Sequence, residues 1–291
     1  MTIKNPLRYP GAKSKLYDYI YQLLIAENKI NCVFYEPFAG SASISLLLLE
    51  NKVIKKAILN ELDPLLYNFW YSVFYHTDEL INMINDTDIT LQNWHEFSQY
   101  REANYLIGKT PVEIGFAGLF LNRTNFSGIL KANPLGGIRQ TSQYTIDCRF
   151  NKDKIIESIQ HLAAFRDNIE LFNMDAIDFM KQELKYKRNK SIFVYIDPPY
   201  YKEGSNLYRC YYTPEQHQLL AKFLLSKSFP WLISYDNAKE IQKMYKQKSP
   251  LTIHMDYSVH TSRKAEELLI SNLKIPPVEE KEEENISSQL A

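Results

Sequence analysis

Cysteine is scarce in this chain, whose 291 residues include only Cys32, Cys148 and Cys210. These three are far apart in sequence and show neither the even count of a disulfide framework nor the spacing of a zinc site. The six histidines form no H-E-x-x-H pattern, which is the signature of a zinc protease. We therefore expect a reduced, cytoplasmic protein with no bound metal.

A long hydrophobic run is also missing. A membrane-spanning helix needs ~20 consecutive apolar residues, whereas the leucine run at 46–49 ends at Glu50. Residues 1–6 lack the apolar core of a signal peptide. We therefore expect no membrane span and no secretion, and the 13% aromatic content is typical of an ordinary packed core.

Net charge is absent, because 34 basic residues balance 34 acidic ones, but the charges are unevenly placed. Segment 279–284 holds five glutamates and one lysine, and we expect residues 276–291 to form a disordered acidic tail. Segment 118–154 contains two acidic residues and six basic ones, namely Arg123, Lys131, Arg139, Arg149, Lys152 and Lys154. This local positive charge fits either a surface that faces a polyanion or an ordinary solvated loop.

Short apolar, β-branched runs alternate with helical patterns along most of the chain. The strand-like runs lie near 31–36, 57–60, 169–172, 192–197, 230–235, 251–255 and 268–272. This alternation predicts an α/β fold with a largely parallel sheet. Segment 76–168 breaks the alternation with helical patterns near 89–105, 112–121 and 151–166. We interpret it as a mainly helical insertion that divides the α/β domain into residues 1–75 and 169–275.

A loop of small residues follows the first strand, in the sequence Phe34-Tyr35-Glu36-Pro37-Phe38-Ala39-Gly40-Ser41-Ala42-Ser43. Small residues let the backbone approach a ligand closely, and the helix that follows offers unpaired N–H groups at its start. The loop is not the G-x-G-x-x-G of dinucleotide-binding proteins. It fits either a ligand-binding turn or an ordinary turn between a strand and a helix.

Carboxylates follow the next two strand-like runs. Glu61 comes 21 residues after Gly40, close to the offset at which nucleotide-binding folds place the acid that holds a ribose. Asp63 precedes Pro64 and is better explained as a helix cap, so we prefer Glu61 as a ribose ligand. Asp175 fits a helix cap and a contact to a purine amino group equally well.

The N-terminal loop reads Asn5-Pro6-Leu7-Arg8-Tyr9-Pro10-Gly11-Ala12-Lys13 and leads into a predicted helix. Lys13 and Lys15 at the start of a helix oppose the helix dipole. A bound carboxylate would offset that cost, so the loop is a candidate binding segment. The alternative is an exposed terminal loop.

The most informative motif is Asp197-Pro198-Pro199-Tyr200, which follows a predicted buried strand. Ligands bind at that end of the strands in open α/β sheets. Each proline restricts the residue before it and donates no N–H, so the Pro198 carbonyl and the Asp197 carboxylate can act as two fixed acceptors. An exocyclic amino group has two donors to match them, and Tyr200 offers a ring for stacking. The motif suits methyl transfer to an amino group, with a rigid turn as the alternative.

Five motifs in order resemble the Dam-type, or D12 class, DNA adenine-N6 methyltransferases of the α group, over most of residues 5–273. Residues 8–13 and 36–42 are similar to two cofactor motifs, residues 121–128 to the start of the target-recognition region, residues 197–200 to the catalytic tetrapeptide, and residues 263–269 to a C-terminal stretch. The chain departs from the family pattern at Ala42, which replaces the second glycine of F-x-G-x-G, and at Ala12, where glycine is frequent.

The resemblance implies a Rossmann-like sheet, S-adenosyl-L-methionine as the methyl donor, and double-stranded DNA from which the target adenine is flipped. Its catalytic residues would be Asp197, Pro198, Pro199 and Tyr200. Its cofactor-binding residues would be Tyr9, Gly11, Ala12, Lys13, Glu36, Pro37, Phe38, Gly40, Ser41, Ala42, Glu61, Asp175 and Asp197. Segment 76–168 would be the target-recognition domain, and its DNA-binding residues would be Asn122, Arg123, Asn125, Lys131 and Arg139.

Other functions of the same fold stay open. The chain could methylate adenine in RNA or N4 of cytosine in DNA, or it could bind DNA without catalysis. Aspartate at position 197 and the order of the motifs favour DNA adenine. A cognate restriction endonuclease is a candidate partner, and a monomer is the favoured oligomeric state. Protection from restriction, repair and phage defence are all open as biological roles.

Overall fold

A computed structural model describes residues 4–8, 16–185, 189–259 and 261–274 of the chain. The predicted acidic tail, residues 276–291, lies outside the described residues. None of the described helices is both long enough and apolar enough to cross a membrane.

Within the described residues, seven strands form a single mixed sheet. They are β1 (Val33–Glu36), β2 (Lys56–Asn60), β3 (Ile169–Phe172), β4 (Ile192–Ile196), β5 (Trp231–Asp236), β6 (Leu251–Val259) and β7 (Thr261–Ser271). Their order is β3-β2-β1-β4-β5-β7-β6. Strands β1 to β5 are parallel to one another, whereas β7 is antiparallel to both β5 and β6. The predicted α/β, Rossmann-like sheet is therefore confirmed.

The topology places a ligand cleft between β1 and β4. The chain runs outward from β1 to β3 on one side and from β4 to β5 on the other. Loops at the carboxyl ends of β1 and β4 therefore lead in opposite directions, which opens a crevice at this switch point. Both central strands are almost wholly buried, because helices cover both faces of the parallel sheet.

Eleven α-helices surround the sheet within the described residues. They are α1 (Tyr17–Ala26), α2 (Ser43–Glu50), α3 (Pro64–Tyr75), α4 (Thr77–Asp86), α5 (Leu91–Ser98), α6 (Pro111–Thr124), α7 (Lys152–Ala163), α8 (Ala176–Glu183), α9 (Gly204–Leu207), α10 (Pro214–Leu225) and α11 (Lys239–Met244). Several begin at caps that the sequence specifies. Asp63 accepts from the Leu65 N–H at 3.0 Å, with Pro64 as the first residue of α3, so the predicted cap is confirmed.

The insertion is helical, as predicted, and shares its core with the sheet. Its helices are α4 to α7, and most of residues 125–150 form turns and bends. Gly115 of α6 packs so closely on α3 that an added Cβ would lie 2.4 Å from the Asn68 carbonyl oxygen. Phe97 and Phe120 belong to the same buried cluster as Phe69 of α3. The division into a catalytic and a target-recognition domain stays a prediction.

Helix α4 is the main element that the sequence patterns missed. His76 separates it from α3 and has backbone angles outside the helical region (φ −139°, ψ 44°). The pattern of α4 is weak, since only Leu80 and Ile84 are buried along its ten residues. The helix is retained because those two side chains join the common core.

Candidate active site

A cleft opens at the carboxyl ends of β1, β2 and β4. A turn of the insertion, residues 126–130, closes it. The volume of the cleft is about 960 Å³ when the open mouth is included. The residues that line it are Glu36, Phe38, Ala39, Gly40, Ser41, Ser43, Ile44, Glu61, Leu62, Asp63, Leu66, Gly128, Ile129, Leu130, Asp197, Pro199, Leu207, Tyr208, Arg209, Cys210 and Tyr212. Most of the predicted motifs that the structure describes therefore meet at one place.

The loop after β1 is held in a tight left-handed turn. Gly40 has φ 48°, and its carbonyl accepts a 2.8 Å hydrogen bond from the Trp70 indole N–H. Ala42 is completely buried and adopts φ 49°, ψ 22°. Such a conformation costs a non-glycine residue roughly 1–2 kcal/mol, which explains why glycine suits this position. The alanine departure is therefore compatible with the turn.

Glu61 ties this loop to the end of β2. Its carboxylate accepts from the Gly40 N–H at 2.8 Å and from the Asp63 N–H at 2.9 Å. Burial raises the pKa of Glu61 to about 7, against the lowering effect of these backbone donors. The group therefore changes charge near neutral pH at the edge of the cleft.

Glu36, at the end of β1, is a buried acid beside the catalytic motif. The Ser45 hydroxyl donates to its carboxylate. Burial raises the pKa of Glu36 to about 8, and the negative charge of Asp197 adds to the rise. Glu36 therefore carries a proton at neutral pH, which removes like-charge repulsion next to Asp197.

An asparagine that the sequence analysis did not single out joins the loops after β1 and β3. The buried Asn60 side chain donates to the Pro37 carbonyl at 2.9 Å and to the Met174 carbonyl at 3.0 Å. Its own carbonyl accepts from the Met174 N–H at 3.0 Å. The sequence did contain a signal for this role, because Asn60 is a polar residue directly after the apolar residues 57–59 of β2.

The Asp197 motif, residues 197–200, follows β4, and both of its prolines are buried. Asp197 is half-buried, lines the cleft, and accepts a hydrogen bond from the Ser234 hydroxyl at 2.7 Å. The two residues that follow the motif, Tyr201 and Lys202, are also fixed. The Asp236 carboxylate accepts from the Tyr201 N–H at 2.8 Å and from the Lys202 N–H at 3.3 Å. The motif is therefore held from β5 at both ends.

Tyr200 is half-buried and does not line the cleft itself. Its hydroxyl donates to the Glu267 carboxylate at 3.2 Å, and its ring meets the edge of Tyr208 at a centroid distance of 6.3 Å. Tyr208 does line the cleft. The stacking role predicted for Tyr200 stays a prediction, with Tyr208 as an additional aromatic candidate.

Asp175 lies behind one wall of the cleft. It caps α8 by accepting from the Ile177 N–H at 2.8 Å, and it accepts from the Tyr212 hydroxyl at 3.2 Å. Tyr212 and Phe38 line the cleft and pack edge to face with ring centroids 5.4 Å apart. The capping role is confirmed, whereas contact with a purine amino group stays a prediction.

Asn122 and Arg123 hold the N-terminal segment by hydrogen bonds inside the protein. Asn122 is buried and exchanges two 2.7 Å hydrogen bonds with the backbone of Arg8. Arg123 donates to the Asn5 carbonyl at 3.2 Å, and burial lowers its pKa to about 10. Asn5 in turn donates to the Ser41 carbonyl at 2.7 Å. Both side chains make contacts inside the protein, and a contact of either one with DNA stays a prediction.

Asn125 also makes internal hydrogen bonds, and its predicted contact with DNA stays a prediction. It is completely buried, accepts from the Trp94 indole N–H at 2.7 Å, and donates to the carbonyls of Ile129 and Leu130 at 2.9 Å each. These bonds shape the turn at 126–130, which closes the cleft. Polar residue type suggested an exposed contact, but the side chain instead builds the wall.

Lys131 and Arg139 are both exposed, and their contact with DNA stays a prediction. Lys131 also donates to the Ser205 carbonyl, and Phe126, at the start of the turn, is 55% exposed. A positively charged surface with an exposed ring therefore adjoins the cleft. The remaining predicted cofactor residues, Tyr9, Gly11, Ala12 and Lys13, lie outside the described residues.

Arg209 was not predicted and connects the cleft to the insertion. Its Nε lies 3.5 Å from the Asp63 carboxylate, and its Nη2 donates to the Arg101 carbonyl at 2.8 Å. Burial raises the pKa of Asp63, and the charge of Arg209 opposes that rise. No local pattern pairs these residues, since they are separated by about half of the chain.

Several known proteins are similar to this chain. Type II methyltransferase M.MjaIII of Methanocaldococcus jannaschii is 23% identical over 215 residues, which cover 69% of this chain and 70% of that protein. Among solved structures, a proposed RNA methyltransferase from Pyrococcus horikoshii is 12% identical, with a TM-score of 0.41 over 93% of this chain and 89% of that one. A proposed methylase from Haemophilus influenzae is 14% identical, with a TM-score of 0.31 over 89% of each chain.

The family is established by a match that covers most of the chain. The model of the D12 class N6 adenine-specific DNA methyltransferases matches residues 9–261. That range contains the small-residue loop, the turn at 126–130 and the Asp197 motif, which meet at the cleft. The chain belongs to the D12 class of N6 adenine-specific DNA methyltransferases.

Proposed function

We propose that this chain transfers a methyl group from S-adenosyl-L-methionine to N6 of an adenine that is flipped out of double-stranded DNA. The observation that carries the proposal is the position of Asp197. Its carboxylate lines a cleft that also contains Glu61 and the small-residue loop. One cleft therefore offers an acceptor for the target amino group and groups suited to a nucleoside.

The residues of the cleft fit the cofactor. The left-handed turn at Gly40 lets the backbone approach a ligand, and the Glu61 carboxylate can accept from ribose hydroxyls. Phe38 and Tyr212 offer aromatic surface for the adenine ring. When bound, S-adenosyl-L-methionine supplies an electrophilic methyl group.

Asp197 and the Pro198 carbonyl would accept hydrogen bonds from the two N–H groups of adenine N6. The nitrogen lone pair is delocalised into the ring, and these bonds favour the more positive nitrogen that forms during transfer. Asp197 then takes up the proton that the methylated amino group releases. The carboxylate is suited to this because the Ser234 hydrogen bond holds it in place.

The exposed side of the insertion would face the duplex. Lys131, Arg139 and Arg149 carry positive charge there, which suits phosphate contacts that position the DNA. Phe126 is the first residue of the turn at 126–130, which lines the cleft. Its exposed ring is placed to stack on a base. Flipping would bring the target adenine from this surface to Asp197.

The experiment that tests the proposal is methylation of plasmid DNA that carries no modified bases. The protein and S-adenosyl-L-methionine are incubated with the plasmid, and the product is sequenced by a method that detects modified bases. We expect N6-methyladenine at one short sequence. N4-methylcytosine, or methylation of RNA alone, would contradict the proposed substrate, and binding of DNA with no methylation of any substrate would contradict the proposed activity.

Substituting Glu61 by glutamine is expected to weaken cofactor binding by about 10- to 100-fold, since a hydrogen bond to a charged group contributes roughly 1.5–3 kcal/mol. In the native protein, affinity should be high above pH 7 and fall below it. Protonation of Glu61, whose pKa is about 7, removes an acceptor for the ribose. Titration calorimetry between pH 5.5 and 8.5 measures both effects.

The matched control for this prediction is Glu240→Gln, which changes an exposed glutamate on α11. It should bind the cofactor like the native protein and keep the same pH dependence. Native-like affinity in Glu61→Gln, or a pH dependence equal to that of the control, would show that Glu61 does not hold the cofactor.

A further inference from the structure

Two residues of β5 hold the catalytic motif, and both lie on the same face of that strand. Ser234 and Asp236 are two residues apart, so their side chains point the same way. Ser234 donates to Asp197 at 2.7 Å, and Asp236 accepts from the backbone N–H groups of Tyr201 and Lys202. Strand β5 therefore fixes the side chain of Asp197, the first residue of the motif, and the backbone of the two residues that follow the motif.

Ser234 belongs to a chain of three hydrogen-bonding groups whose direction follows from their chemistry. The Tyr195 hydroxyl lies 2.9 Å from the Ser234 hydroxyl. An ionised carboxylate only accepts hydrogen bonds, so Ser234 must donate its single proton to Asp197. Tyr195 must then donate to Ser234. Both hydroxyls are fully buried, and burial keeps the pKa of Tyr195 well above its ordinary value, so the tyrosine remains a donor.

We infer that Ser234 and Tyr195 are positioning residues for methyl transfer, which orient the Asp197 carboxylate toward the target amino group. The inference rests on the proposed function. Neither hydroxyl lines the cleft, so both act through Asp197. The arrangement is rigid, because Tyr195 lies on β4 two residues before Asp197, while Ser234 lies on the neighbouring parallel strand β5.

The orientation of the Asp197 carboxylate matters because its acceptor oxygen has to point at an N–H of the target amino group. A misplacement of about 1 Å at a reacting centre can cost on the order of 10²-fold in rate. Without the Ser234 hydroxyl, the Asp197 side chain loses one of the contacts that fix its χ1 and χ2 angles. Ser234 itself does not line the cleft, so binding of DNA and cofactor should change little.

The test is a kinetic comparison of hydroxyl-deleting variants. Ser234→Ala should lower kcat by about 10- to 100-fold and leave the KM values for DNA and for S-adenosyl-L-methionine within about threefold of the native ones. Tyr195→Phe should lower kcat less, by about 3- to 10-fold. The double variant should be no slower than Ser234→Ala, because Tyr195 acts only through Ser234. Ser234→Thr keeps the hydroxyl and should recover most of kcat.

Ser271→Ala is the matched control. Ser271 is a buried serine on β7, opposite Leu232 of β5, and its hydroxyl donates to the Trp231 carbonyl, away from the motif. The loss of this bond should lower stability about as much as Ser234→Ala, with kcat unchanged. An equal loss of kcat in both alanine variants, or native kcat in Ser234→Ala, would overturn the inference.

A structural measurement separates this inference from the proposed function. In a crystal structure of Ser234→Ala, the Asp197 carboxylate should adopt a different rotamer from the native one, while Asp236 keeps its bonds to Tyr201 and Lys202. An unchanged Asp197 side chain would overturn the positioning role. Absence of methylation by the native protein would instead contradict the proposed function, and the rotamer comparison would still decide the role of Ser234.

Discussion

Replacing Asp197 by alanine is expected to lower the rate of adenine methylation by a factor on the order of 10³ or more. The substitution removes the carboxylate that would accept from the target amino group, and it leaves the Ser234 hydroxyl without its acceptor. Cofactor affinity should stay within a few-fold, because Glu61 and the turn at Gly40 remain in place. Single-turnover methylation of DNA and calorimetry with S-adenosyl-L-methionine measure the two quantities.

Asp178→Asn is the control for this result. Asp178 is an exposed acid on α8 that pairs with Lys181, and its neutralisation should leave the rate unchanged. A rate for Asp197→Ala within tenfold of the native rate would exclude Asp197 as the essential acceptor. A large loss of cofactor binding in the same variant would show that Asp197 serves the cofactor rather than the amino group.

Replacing Gly128 by alanine is expected to destabilise the protein by about 3 kcal/mol or more, the combined effect of a left-handed backbone and a steric clash. Gly128 has φ 75°, and an added Cβ would lie 2.3 Å from the Arg8 carbonyl oxygen. The Gly128 carbonyl also accepts from Asn122 at 2.9 Å. The turn therefore has to shift, and urea unfolding measures the loss in the free energy of unfolding.

Gly108→Ala separates the two contributions to this loss. Gly108 has nearly the same backbone conformation, φ 79°, but no heavy atom lies within 4 Å of an added Cβ. The Gly108→Ala substitution should lower the free energy of unfolding by only about 1 kcal/mol. Equal losses in the two variants would show that the clash with Arg8 is relieved at no cost and that the turn at 126–130 is not rigidly held.

The sheet and the position of the Asp197 motif were predictable because their signals are local. Strand β4 is a continuous apolar run, the two prolines restrict the backbone after it, and Asp63 with Pro64 marks the start of α3. The antiparallel pairing of β7 with β5 was not predictable in this way. A strand has the same period of two in either orientation, and its neighbours are chosen by packing.

Residue roles in the insertion were the least predictable. Asn122 and Asn125 are polar residues in a basic segment, so an exposed contact to DNA was a reasonable prediction. Both are buried instead, because the N-terminal segment and the turn at 126–130 carry backbone groups that need partners away from water. Arg8 and its partner Asn122 are 114 residues apart in the sequence. A sequence pattern does not show which residues so far apart come into contact.

The sequence by itself determined the α/β fold, the positions of its central strands and the place of the acid-proline-proline motif at a strand end. These depend on periodicity, proline geometry and helix caps, which act within a few residues. Only the tertiary structure decided that Ser234 and Asp236 hold the motif, that Arg209 reaches Asp63, and that the asparagines build the wall of the cleft. Each of these depends on a hydrogen bond or an ion pair between distant parts of the chain, which forms only when packing brings donor and acceptor together.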